Sequence, residues 1–566
     1  MEAGRRDITM IFNRSRKLEI PFFQRAYVWD KEAWTRFADD LITAPERSAG
    51  YFLGSIILKQ KATGTDSAVG DVRTVVDGQQ RLTTLVLFFR ILCDERGEQP
   101  LFDQVFRGFS DDLILQHNHN DIEVFEALAG QGSVPPELAA RYPQSRVMGA
   151  FKYFKSRRSE IARLDPKALL SKLYFVGIDL GADEDEQQIF DTINSLGVDL
   201  TAAELLKNHL FGRQDLELFT RTWRATFEAT EPLRHYWERP VTSGREKRQN
   251  VDLFLQAYLL SQDSSADDVR VGELFRSYRE HLRGEGVDRQ RFVVDLTASA
   301  QRYRDRINPA MLDRAVDGDD AHERLNVVIF GLQTTTILPL YLRILRSVDD
   351  PVEQSRMVRL VESYVMRRLI CGETTKHYNR FFASLARSGV GSASELKERL
   401  LRSDDPSTIF PGDDRVREGF RTSNLTNRQA RVVLYLLEAS IRDSARHSTA
   451  LAGFNHYTLE HVMPKKWRNH WGSLPEDLAR ARDAAVRKLG NLTLLSSKLN
   501  NSVRDADWAK KKAGSDRRAG LDRYAVGTEI FDEDLRRDTW DERAIEERAE
   551  RLAAHSIGPR AWPMPG

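Results

Sequence analysis

The sequence predicts an α+β multidomain protein with an α/β front, a mainly helical middle and a small strand-and-helix region at the end. Three observations support this. A chain of 566 residues is too long for one hydrophobic core and implies about two to four domains. Short β-branched runs alternate with amphipathic segments over the first two hundred or so residues. From about 215 to 445 the strand signals fade and 3.6-residue periodicity takes over. The predicted domains are therefore 1–213, 214–445 and 446–566.

Each element has a local reason. LEIPFFQRAYVW alternates around Pro21 and reads as extended chain. DKEAWTRFADDLITA follows as a helix, with Asp30 as N-cap and Trp34, Phe37 and Leu41 on one face. YFLGSIILKQ and VRTVV read as strands, RLTTLVLFFRILCDE as an apolar helix, and RVMGAFKYFKSRRSEIARL as a further helical stretch. The strand KLYFVGIDL leads into helical EDEQQIFDTINSLG, which Gly197 stops, and Thr201 to Glu204 form a capping box for the next helix. DLFLQAYLLSQ, GELFRSYREHL, RLNVVIFGLQTTTILPLYLRIL, MVRLVESYVMRRLI and RQARVVLYLLEASIRD carry the helical middle. The last region holds FNHYTLEHVMP, then KLGNLTLLSSKLNN as a strand followed by a helix, and closes with the charged helix DERAIEERAERLAAH.

Composition narrows the class. Hydrophobic content of 41% and charged content of 30% describe a globular chain, not a disordered one. Cys93 and Cys371 form no CxxC pair, which excludes a thiolate zinc finger and fits a reducing compartment. With no apolar stretch of membrane-spanning length and no h-region behind MEAGRRDITM, the expected location is the cytoplasm. A net charge of +1 gives no global sign of nucleic acid, but the run from Arg487 to Arg518 is basic and GADEDEQQ is acidic. A local basic face can neutralise phosphates in a balanced chain; it can equally be a solvated helix face.

Three stretches carry candidate chemistry. In VVDGQQRLTTL, a strand, a tight turn and a helix start meet at Asp77, Gly78, Gln79, Gln80 and Arg81, an order that suits an anion and also suits a plain polar corner. In IPFFQRAYVW, Gln24 and Arg25 sit among Phe22, Phe23, Tyr27 and Trp29, a cluster that could stack on a base or simply be core. Near the end lie Glu460-His461, then Asn491, then Asn500. His461 has the ordinary pKa of a general base near neutral pH, and Glu460 with an Asn500 oxygen could hold one divalent cation, Mg²⁺ or Mn²⁺. Asn491 is placed to bond backbone and brace the loop. His456 and His470 flank the set without matching it, and Asn501 beside Asn500 leaves a one-residue ambiguity.

The ordered set Glu460-His461, Asn491, Asn500 resembles the ββα-metal, or HNH, nuclease pattern. EHVMPKKW followed by LGNLTLLSSKLNNS is similar to the C-terminal nuclease domain of the GmrSD-type modification-dependent (type IV) restriction family. IPFFQRAYVW, FLGSIIL, VVDGQQRLTTL and FDTINSLGVDLTAAELLKNHLF resemble, in order, signature segments of its N-terminal half, and MRRLICGETTKHYNRFF matches loosely in between.

The resemblance implies a ParB/sulfiredoxin-like front and a C-terminal HNH domain. It also implies a DGQQR motif that handles a nucleoside triphosphate (GTP, ATP or CTP), without a Walker A loop. His461 and Asn491 become the expected catalytic pair, with Glu460 and Asn500 on the metal. Phe23, Gln24, Arg25, Tyr27, Trp29, Asn194 and Lys207 become candidates for sensing modified DNA. The expected partners are double-stranded, modified phage DNA and a nucleotide, with no membrane, and a homo-oligomer is compatible. The alternative reading is a DNA-modification reader or regulator with NTPase activity, whose nuclease domain mainly binds DNA.

Overall fold

The computed structural model describes residues 2–21, 26–46, 50–61, 71–118, 120–143, 145–181, 201–244, 246–262, 269, 271–284, 286–402, 407–442, 451–497, 499–500, 505–515, 518–521 and 529–565. The chain divides into two compact units, Met1–Arg221 and Thr222–Gly566.

The first unit is built on a six-stranded mixed sheet. Its strands are β1 (Glu2–Asp7), β2 (Arg16–Glu19), β3 (Tyr51–Gln60), β4 (Asp71–Asp77), β5 (Leu115–Gln116) and β6 (Leu173–Leu180), in the order β1-β6-β3-β4-β2-β5. β1 with β6 and β3 with β4 run antiparallel; β3 with β6, β2 with β4 and β2 with β5 run parallel. The expected helix around DKEAWTRFADDLITA spans Lys31–Thr43, and the Asp30 carboxylate accepts from the Glu32 and Ala33 amides. The apolar helix spans Gln79–Arg96. Every residue from Leu82 to Cys93 is buried, so it is a central core element rather than a one-faced surface helix. Its Phe88 and Phe89 pack against Phe154 and Phe106, and Phe106 in turn against Phe102. The Thr201/Glu204 capping box opens the helix Ala202–Leu210 as expected. EDEQQIFDTINSLG, with Asn194, lies outside the described residues.

The second unit begins with the helical middle. Asn250–Leu260, Leu274–Leu282, Pro351–Ile370 and Asn427–Ile441 are helices read from periodicity, whereas RLNVVIFGLQTTTILPLYLRIL is broken into Ala321–Asn326, a wider π turn at Val327–Gly331 and a separate helix Leu338–Ser347. One antiparallel hairpin, β7 (Pro240–Ser243) with β8 (Glu246–Gln249), interrupts them; strands of four residues are too short to register as a pattern. The core of this region is polar as well as apolar. Arg324 and Glu362 are both buried and paired, with Arg324 Nε 3.0 Å from Glu362 Oε2. Trp562, near the C-terminus, donates its indole N–H to Glu362 Oε1 at 2.8 Å. Arg367 donates to the Trp562 and Pro411 carbonyls, each at 2.8 Å, so the tail is stitched into the helices by charge-assisted bonds.

The end of the unit carries β9 (Tyr457–His461) and β10 (Leu492–Ser496), paired antiparallel with Leu492 opposite His461 and Thr493 opposite Glu460. The charged helix spans Glu542–Ser556 and packs on the turn at Leu489–Asn491. Gly490 permits that approach: a Cβ there would lie 2.0 Å from the Ile545 carbonyl oxygen.

Candidate functional site

Two candidate sites lie in separate units. The first surrounds DGQQR. β4 ends at Asp77, and Gly78 makes the bend at φ +99°, where a Cβ would also sit 2.6 Å from Ile56 Cγ2. Backbone conformation and packing therefore both demand glycine. Arg81 lies one helical turn on, 3.6 Å from the Asp77 carboxylate, and donates to the Ser55 carbonyl. Its side chain is 25% exposed, and one oxygen of Asp77 is buried with no hydrogen bond among the described residues.

Gln80 joins two of the predicted segments. Its side-chain oxygen accepts from the Val28 amide at 2.8 Å and the Trp29 amide at 3.3 Å. Its amide nitrogen is buried without a hydrogen-bond partner among the described residues. Tyr27 is buried; its hydroxyl pairs with Thr84 Oγ1 at 2.6 Å and accepts from the Trp34 indole at 3.0 Å. Trp29 packs edge-on against Phe37. Tyr27 thus serves the core, and Phe23, Gln24 and Arg25 lie outside the described residues. Gln79 is buried in the first turn of the helix. Lys207 is buried on the helix Ala202–Leu210 and is not a surface cation.

Behind this segment lies a polar cluster that the sequence reading did not single out. Thr83 Oγ1 donates to the Gln79 carbonyl at 2.8 Å and lies 2.9 Å from His117 Nε2, which makes Nε2 the protonated nitrogen. His117 Nδ1 faces Asp121 Oδ2 at 3.8 Å, and that oxygen accepts the Tyr27 amide at 2.6 Å. Burial pushes His117 down to about 3 and Asp121 up to about 6. Thr83, His117 and Asp121 have the residue types of a hydrolytic triad. With His117 and Thr83 0% exposed, however, they form an internal brace for residues 26–30. The signal available was two threonines inside an otherwise apolar helix and the polar string QHNHND.

The second site is on β9 and β10. Thr458 and Glu460 alternate onto one side of β9, and His461 is its last residue. Asn500 donates its amide to Thr458 Oγ1 at 2.9 Å and to the Leu459 carbonyl at 3.3 Å, so its carboxamide lies on the Glu460 side. Asn491 is fully buried and makes four hydrogen bonds. Its oxygen accepts from the Met463 amide at 2.8 Å and the Trp540 indole at 3.0 Å. Its nitrogen donates to the Met463 and Val486 carbonyls at 2.8 and 2.9 Å. It fixes the chain as it leaves His461 and touches no open surface.

Lys511 was not singled out. Its ammonium pairs with Glu460 Oε1 and donates to the His461 carbonyl at 2.9 Å, with its side chain 0% exposed. The helix Trp508–Ala513 is capped by Asp507, and Trp508 and Lys511, three residues apart, share its buried side. Only a run of three lysines marked the position in sequence. Burial pushes Glu460 above the ordinary carboxylate value and Lys511 below the ordinary amine value, while their mutual attraction opposes both shifts. His461 is pushed down to about 4 by burial, and then by Lys465 and Lys511. Lys511 is therefore a neighbour of the imidazole as well as of Glu460, and the ring is neutral at pH 7. Arg548, buried and paired with Asp534, donates to the Gly490 and Leu492 carbonyls at 2.8 and 2.7 Å and clamps the Asn491 turn from behind.

The donors on this side suit a hard divalent cation. Glu460 offers a carboxylate that it shares with Lys511 and the His461 amide, and Asn500, whose nitrogen bonds to β9, offers its carboxamide oxygen. Among the described residues no group of three or more His, Cys, Asp or Glu side chains is gathered as a metal site. An ion here would complete its shell with water and phosphate oxygens, as Mg²⁺ commonly does.

The family matches at the two ends of the chain give the class: restriction endonucleases. Residues 8–211 match the GmrSD restriction endonuclease N-terminal domain, and residues 410–555 match the C-terminal domain of GmrSD restriction endonucleases. The chain belongs to the GmrSD restriction endonuclease family. No curated protein matches it. Among the described residues no helix is long and apolar enough to cross a membrane.

Proposed function

We propose that this protein is an anti-phage defence nuclease that senses modified foreign DNA and cleaves or nicks it at the β9–β10 centre. The carrying observation is the gathering of His461, Glu460 and Asn500 around one short strand, braced by Asn491, in a chain whose two ends match the family's two domains.

In this reading His461, neutral at physiological pH, takes a proton from the attacking water. Glu460 and Asn500 hold a divalent cation, which when bound stabilises charge on the phosphate. Asn491 keeps the segment after His461 in place, and we read β9 and β10 as the two strands of a ββα-metal fold.

In the front unit, which we assign a ParB/sulfiredoxin-like fold, Gly78 to Arg81 bind or hydrolyse a nucleoside triphosphate. Arg81 and the positive N-terminal end of the helix attract the phosphates. Gln80 ties this motif to the Val28–Trp29 backbone, next to the proposed DNA-sensing residues, so nucleotide state and DNA sensing share a hydrogen bond.

The test is cleavage of modified and unmodified duplex, with and without Mg²⁺ or Mn²⁺ and with GTP, ATP or CTP in turn. Metal-dependent cutting of modified DNA is the expected result. Binding without cutting, with nucleotide turnover intact, would instead favour a DNA-modification reader.

A further inference from the structure

Lys511 stands out in the second unit because its charge has no access to solvent and, among the described residues, its hydrogen-bond partners Glu460 and the His461 carbonyl belong to the proposed nuclease centre. Its two neighbours in the lysine run behave differently: Lys510 pairs with its own helix cap, Asp507, with its side chain 70% exposed, and Lys512 donates to the Arg537 carbonyl. A buried ammonium is costly and survives only where its charge is compensated. Here one carboxylate oxygen of Glu460 and the backbone oxygen of His461 compensate it.

We propose that Lys511 is a resident counter-cation of this centre, and that it makes divalent-metal binding at Glu460 depend on the DNA phosphate. The inference rests on the reading of Glu460 and Asn500 as metal ligands. With Lys511 already on the Glu460 carboxylate, an ion held by the same group would be a close neighbour of the ammonium. At such close range a dication and a monocation repel strongly in a partly dehydrated site. Glu460 supplies one negative charge and Asp505, the weaker of the two carboxylates acting on Lys511, a second, against three positive ones. A phosphodiester brought in by DNA supplies another, and it shields the ion from Lys511. The ion is therefore bound weakly by the free protein and firmly by the DNA complex, which confines the hydrolytic state to engaged substrate.

The experiment is a Mn²⁺ titration of the full chain followed by electron paramagnetic resonance, in a His461→Ala background that blocks turnover. Affinity is measured with and without a saturating short DNA duplex at low salt. Lys511→Gln keeps a donor for Glu460 and removes the charge; it is expected to raise Mn²⁺ affinity without DNA by on the order of tenfold or more. Adding DNA is expected to tighten Mn²⁺ binding far more in the parent, which retains Lys511, than in the Lys511→Gln variant. Lys511→Met supplies the same comparison, with thermal melting to confirm that each variant is folded. Unchanged or weaker affinity in both variants, or equal tightening by DNA with and without Lys511, overturns the proposal while leaving the metal site standing. If Glu460→Gln binds Mn²⁺ as well as its parent does, the metal reading falls and the proposal with it.

Discussion

Replacing Asn491 by alanine removes a side chain that satisfies four buried groups: the Met463 amide, the Trp540 indole, and the carbonyls of Met463 and Val486. Each bond contributes about 1 kcal/mol net, and a buried group left without a partner costs about 1–3 kcal/mol. Water entering the small cavity recovers part of this, so a loss of about 4 kcal/mol is expected, at the upper end for a single substitution. The assay is urea unfolding followed by tryptophan fluorescence, to which Trp540 contributes directly. The midpoint of the transition that reports the second unit should fall by roughly 1 M. Asn491→Asp should be at least as damaging: it keeps both acceptor contacts but sets a carboxylate against the Met463 and Val486 carbonyls. A midpoint unchanged in both variants would refute the assignment of Asn491 as the brace of this loop.

Other outcomes follow from the same structure. Gly78→Ala should destabilise the first unit by about 2–4 kcal/mol, because it combines a positive φ with a clash against Ile56, and thermal melting measures it. Folded His117 has its pKa pushed down from 6.5 to about 3, so the folded state binds fewer protons than the unfolded chain between those values. Its stabilising effect is complete above pH 6.5 and is lost as pH falls toward 3. Asp121, raised to about 6, acts in the opposite sense between pH 6 and 3.8, with the smaller shift. Acid unfolding of His117→Gln should therefore have a lower pH midpoint than that of the parent, and an unchanged midpoint contradicts the brace. Trp562→Ala should lower the stability of the second unit by about 3–5 kcal/mol, since it empties a buried site and removes the indole bond to Glu362; a chemical denaturation curve tests this.

Much of the fold was legible in local sequence. The Asp30 cap, the Thr201/Glu204 capping box and the apolar run at 82–93 each fix a helix through contacts a few residues apart, which is the range sequence patterns report. The site was legible in its ordered motif, Glu460-His461, Asn491, Asn500, but not in its supports. Lys511, Arg548 and Trp540 reach the hairpin from elements far along the chain. Nothing in the WAKKK string distinguishes the buried lysine from its two neighbours. The same holds in the first unit. Gln80 reads as a polar turn residue, yet its side chain holds the Val28 and Trp29 amides, and the His117–Asp121 cluster behind it is assembled only by tertiary packing.

The central claim is that the β9–β10 hairpin is a hydrolytic centre with His461 as its base. The most direct measurement is cleavage of modified DNA by wild type and His461→Ala, at matched folding and matched DNA affinity, in saturating Mg²⁺ or Mn²⁺. The variant is expected to bind DNA normally and to lose at least about a hundredfold in cleavage rate. Equal cleavage by the two proteins would contradict the claim.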